Sequence, residues 1–68
     1  MSLQQFVFEL KDRVKLRVPD GRGLPQPGIV VALTVDTEAN RTFASVVWAQ
    51  GTNHQRRTIE LESNLLRA

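Results

Sequence analysis

The chain has 68 residues with nine Lys or Arg, seven Asp or Glu, one His and no Cys, and a formal charge of +2. That length holds one domain with a thin core, and without thiols it has neither a disulfide nor a cysteine-ligated zinc to staple it, which leaves strand pairing or self-association as the source of stability. No stretch approaches the roughly 20 apolar residues of a membrane helix, and Met1 to Leu10 lacks the basic start and apolar run of a secretory signal, so the expectation is a cytoplasmic protein with no membrane partner.

The first periodic segment is Arg13-Val14-Lys15-Leu16-Arg17-Val18. Basic and apolar residues alternate there, which predicts a half-buried strand with Val14, Leu16 and Val18 facing a core and the three cations facing water. Pro19-Asp20-Gly21 stops it. The Gly and Pro residues through Gly28 then impose fixed φ, missing donors and turn geometry, predicting a loop from Pro19 to Gly28. A loop of this length in a compact domain usually has a role, and two readings stay open: Leu24, between Gly23 and Pro25, presents an apolar knob to a partner, or the segment is a connection with no partner.

Ile29 to Val35 is β-branched and almost continuously apolar, as expected of a central strand covered on both sides or facing a subunit interface. The polar run Asp36 to Arg41 turns the chain into an antiparallel strand from Thr42 to Ala49. Ala44, Val46 and Trp48 are expected inward because Trp needs a large apolar environment. Phe43, Ser45, Val47 and Ala49, with Val30 and Ala32, then form an outer face more apolar than water requires. Gln50 to Asn53 is a turn. A fourth strand, Arg56 to Leu61, is expected to point Ile59 and Leu61 inward and Thr58, Glu60 and Glu62 outward. Ser63-Asn64 reads as one helical turn and Leu65 to Arg67 as a short closing strand.

Short strands separated by turns, with no helical periodicity, predict an all-β fold, and at this length a small five-stranded barrel. The domain is expected to span 6–68, with residues 1–5 as a frayed tail. The sequence of parts resembles the small SH3-like barrels, among them KOW, Tudor-like and related prokaryotic domains. The matching features are Asp12-Arg13-Val14, a Gly/Pro loop, Gly28-Ile29-Val30, Val46-Val47-Trp48 before Gly51, and a terminal Asn64-Leu65-Leu66. That resemblance implies an SH3-like fold and says little of function.

Phe8 to Lys15 is also similar to the opening strand of the plasmid-borne type II dihydrofolate reductases, which are tetramers of such barrels. That likeness implies a Val-Gln-Ile-Tyr segment lining a pore that holds cofactor and substrate. The matching segment here, Arg57-Thr58-Ile59-Glu60, keeps only Ile59, and four copies of Glu60 around a pore would repel the phosphates of NADPH.

Absence of Cys and Tyr and a single His, His54 in a polar turn, leaves no catalytic triad, no thiol nucleophile and no multi-histidine metal site. No catalytic, cofactor or metal residue and no small-molecule substrate is expected. The leading expectation is a non-catalytic interaction module of a prokaryote or phage that binds a protein partner or itself through Leu24, Val30, Phe43 and Val47. The alternative is a nucleic-acid-binding domain that meets phosphates with Arg13, Lys15, Arg17, Arg56 and Arg57. A reductase-like enzyme is the third reading.

Overall fold

The structure, a computed structural model, describes residues 6–18, 21 and 23–68. These contain five strands, β1 (Arg13–Leu16), β2 (Gly28–Asp36), β3 (Arg41–Trp48), β4 (Arg56–Leu61) and β5 (Leu65–Arg67), with a 3-10 turn (Glu62–Asn64) between the last two. All pairings are antiparallel and form one sheet in the order β4-β3-β2-β1-β5. The expected central strand, β2, is the middle of the five. The sheet is not closed: β4 and β5 are its two edges, so the all-β class holds while the expected barrel closure is not formed. Among the described residues, no helix is long and apolar enough to cross a membrane.

One face of the sheet carries the core. Phe8, Val14, Leu16, Leu24, Val30, Ala44, Val46, Trp48 and Leu65 form a single buried cluster, with Leu33 packed against it. Trp48 is fully buried, which removes about 200 Å² from water, worth about 5 kcal/mol before ordering costs. Its indole lies over Gly28, its cross-strand partner. A Cβ at Gly28 would stand 2.6 Å from Trp48 Cε3 and also collide with Val46 Cγ1, so only glycine lets the backbone approach the ring this closely.

Three expectations are corrected by the packing. Val18 is 71% exposed, because the ladder ends two residues earlier. Leu16 N–H donates to Gln26 Oε1 and Arg17 N–H to Asn64 O, which lead the chain out of the sheet after Leu16. Leu24 is buried in the core cluster instead of forming a knob, and Gln26, two residues on, ties this segment to the end of β1 by accepting the Leu16 N–H. Val30 is also fully buried. A bulge at Val31 shifts the β2–β3 register between Val30 and Ala32, and the extra residue sends Val30 to the core and Ala32 to the outer face, where one shared face was expected.

The fourth strand is inverted relative to its sequence pattern. Ile59 is 68% exposed, while Glu60 and Glu62 are 6% and 3% exposed. The cause is the buried indole: Val46 pairs with Thr58, and Trp48 Nε1–H donates to Thr58 Oγ1 at 2.8 Å. With Thr58 held on the core side, the two-residue period carries Glu60 and Glu62 inward and Ile59 outward. Glu62 is accommodated because its carboxylate accepts the Val7 N–H at 3.0 and 3.1 Å and the Phe8 N–H at 2.9 Å, which fixes the segment that brings Phe8 into the core. Arg67 holds the same segment from β5, with an ion pair to Asp12 at 2.9 Å, a bond to Val7 O at 3.2 Å and its guanidinium 5.5 Å from the Phe8 ring centre. The expectation of a frayed tail at Met1 to Gln5 lies outside the described residues, as do Pro19, Asp20 and Arg22 of the predicted loop.

Candidate binding face

The ladder registers align one residue from each of four strands. Arg13 of β1 pairs with Ile29, Ile29 with Val47, and Val47 with Arg57. Residues directly opposite share a face, and their neighbours Val14, Gly28 and Trp48 face the core, so this row lies on the outer side of the sheet. It reads cation, apolar, apolar, cation. Three inter-strand steps separate its ends, about 14 Å along the sheet. The next rows outward are mixed, Ala32, Ser45 and Ile59, then Thr34, Phe43 and Leu61, with hydroxyls at Ser45 and Thr34 among the apolar side chains.

Two adjoining hollows mark the β1 end of this face. One, of about 560 Å³, is lined by Leu10, Lys11, Arg13, Ile29, Val30, Val31 and Gln50. The other, of about 350 Å³, is lined by Arg13, Pro27, Ile29, Val47, Ala49 and Gln50. They share Arg13, Ile29 and Gln50 and so form one open trough, of the size that takes a small ligand or a few peptide residues. Two residues at the trough hold left-handed backbone without being glycine, Lys11 at φ 74° and Ala49 at φ 55°. Such conformations cost on the order of 1 kcal/mol or more, and the surrounding bonds must impose them. Lys11 N–H donates to Val30 O at 2.7 Å and Val30 N–H to Asp12 O at 3.0 Å, so the segment carrying Lys11 is laid along β2 next to the bulge.

The five predicted phosphate contacts do not converge. Arg13, Lys15 and Arg17 are exposed in a row from β1, but Arg17 Nε–H donates to Ser63 O at 2.9 Å. Arg56 and Arg57 are also exposed, yet they point to opposite sides of β4. Arg57 belongs to the outer row with Arg13, whereas Arg56 lines a separate hollow of about 490 Å³ with Gly23, Pro25, Ala49, Thr52 and His54. Of the four predicted interface residues, Leu24 and Val30 lie in the core. Phe43 is half-buried on the outer face, and Val47 occupies that face with 8% exposure.

Ile29, Lys11 and Gln50 carry no signal in the sequence that marks them as part of a binding face, and Ile59 was expected in the core. Ile29 follows Gly28 in a run that is apolar at every position, so its face is fixed only by the pairing with Arg13. Lys11 carries no periodic signal. Comparison with known proteins returned no match: no family model fits the chain, and no curated protein or solved structure is similar to it.

Proposed function

We propose that the chain is a non-catalytic interaction module of SH3-like type that binds a protein partner on the outer face of its sheet. The observation that carries this reading is the row Arg13, Ile29, Val47, Arg57, an apolar stripe bounded by cations and continued by the 68% exposed Ile59. Contiguous apolar surface with a charged rim is the ordinary composition of a protein-binding patch. The short closing strand after a 3-10 turn and the bulged central strand support the SH3-like assignment, in an open form. The absence of Cys and Tyr, with one His in an exposed turn, supports binding over catalysis.

Nucleic acid is the weaker reading. Stacking on bases needs exposed rings beside the cations; Trp48 and Phe8 are 0% and 4% exposed, and of the remaining two rings Phe43 is half-buried and Phe6, 38% exposed, lines neither hollow at Arg13.

The test compares the wild-type protein with an outer-face variant, Ile29→Lys/Ile59→Lys. Light scattering after size exclusion reports self-association, and cross-linking followed by capture reports a partner. The expected result is an assembly or partner that the variant loses while its circular dichroism stays unchanged. A strictly monomeric protein with no partner, or an assembly indifferent to the variant, overturns the reading. A salt-sensitive mobility shift with DNA or RNA that Arg13→Glu/Lys15→Glu removes would transfer the function to nucleic acid.

A further inference from the structure

We infer that the trough between Lys11 and Gln50 is the specific docking point and that it takes an extended acidic peptide segment of the partner, with apolar residues next to its carboxylates. This inference rests on the protein-binding reading above and names the chemistry of the ligand.

Charge is the first argument. The trough and the row that continues it carry Lys11, Arg13 and Arg57, and no acidic residue lines either hollow. Two acids stand in that stretch of chain, Glu9 and Asp12; neither lines a hollow, and the Asp12 carboxylate is engaged by the Glu9 N–H and by Arg67. Among the described residues, neither Lys11 nor Arg13 is in an ion pair. The cations are therefore uncompensated, and an anionic partner is the complement.

The apolar lining is the second argument. Leu10, Ile29, Val31 and Pro27 supply it, and Leu10 and Val31 are 58% and 37% exposed. None of the residues lining the trough is aromatic, so a nucleobase would find no ring to stack on, whereas aliphatic side chains flanking a carboxylate would bury against these residues. Gln50 adds an amide that can both donate to and accept from a peptide backbone. At the trough Lys11 N–H donates to Val30 O, and Ala49 O accepts from the Thr52 N–H and hydroxyl, so both left-handed residues are tied by hydrogen bonds of the protein itself.

The experiment titrates the ¹⁵N-labelled full chain with two blocked pentapeptides, one alternating leucine with glutamate and the other leucine with lysine. The expected result is that the glutamate probe moves the amide signals of Lys11, Arg13, Ile29 and Gln50, and that its affinity falls several-fold when salt is raised about tenfold. Lys11→Glu/Arg13→Glu should abolish the response while leaving the remaining spectrum that of the folded protein. Equal response to the lysine probe, or shifts centred on Asn40, Arg41 and Thr42, which with Leu61 and Ser63 line a separate hollow, overturns the inference. Tighter binding of a single-stranded oligonucleotide at the same amides also overturns it, in favour of nucleic acid. Partner capture that survives Lys11→Glu/Arg13→Glu but is lost in Ile29→Lys/Ile59→Lys overturns the trough alone and leaves the protein-binding reading standing.

Discussion

The indole Nε1–H of Trp48 donates to Thr58 Oγ1 at 2.8 Å, and this one bond sets which way the fourth strand faces. Trp48 is fully buried, and an indole N–H in that position requires an acceptor. Replacing Thr58 by Val keeps the shape and removes the acceptor. Thr58→Val is therefore expected to destabilise the protein by about 1–3 kcal/mol, while Thr58→Ser loses much less. Urea denaturation measures both. Equal midpoints for Thr58→Val and the wild type would show that the bond does not hold the register.

Glu62 makes a second prediction. Its carboxylate accepts the Val7 and Phe8 N–H groups and is 3% exposed. Glu62→Ala leaves two backbone donors without their acceptor and is expected to cost about 2 kcal/mol or more. The loss should be local as well as global. Hydrogen exchange at the Val7 and Phe8 amides is expected to accelerate more than at Val46, and Glu62→Gln, which keeps one acceptor oxygen, should fall between. Uniform acceleration across β3 would refute the local tie.

Much of the fold was legible in the sequence because its signals are local. The strand that opens at Arg13, expected to reach Val18 and ending at Leu16, the turn between Asp36 and Arg41, and the 3-10 turn before Leu65 all follow from neighbouring residues, and each is present. The orientation of β4 was not legible, because Thr-Ile-Glu-Leu-Glu reads as apolar in and polar out. The opposite is imposed by Trp48, ten positions before Thr58, and by amides 54 and 55 positions from Glu62. The bulge at Val31 was hidden for a different reason. In a run apolar at every position, one extra residue leaves no mark on the pattern. The candidate face inherits both effects: Arg13, Phe43 and Val47 were visible, and Ile29 and Ile59 became part of it only through register.

Gly28 tests the packing beneath that register. A Cβ there would meet Val46 Cγ1 and the Trp48 ring. Gly28→Ala is expected to destabilise by about 1–3 kcal/mol through overpacking. The cause can be separated from a general intolerance of substitution by a double-mutant cycle. Val46→Ala should cost less in the Gly28→Ala background than in the wild type, because it removes one of the clashing atoms. Strict additivity would mean that the strain lies elsewhere.

Ile59→Lys decides between the two orientations of β4. An inward Ile59 would force a lysine into the core, and a loss above about 4 kcal/mol would follow from burying an unpaired charge. With Ile59 68% exposed, the lysine ammonium reaches water directly. The expected change is within about 0.5 kcal/mol, measured by thermal and urea unfolding. The same substitution adds a cation two residues along β4 from Arg57, in the row that continues the apolar stripe, where a partner would have to bury it. Unchanged stability with lost partner binding is thus the expected pair of results. Lost stability would return Ile59 to the core and remove the apolar stripe's most exposed residue.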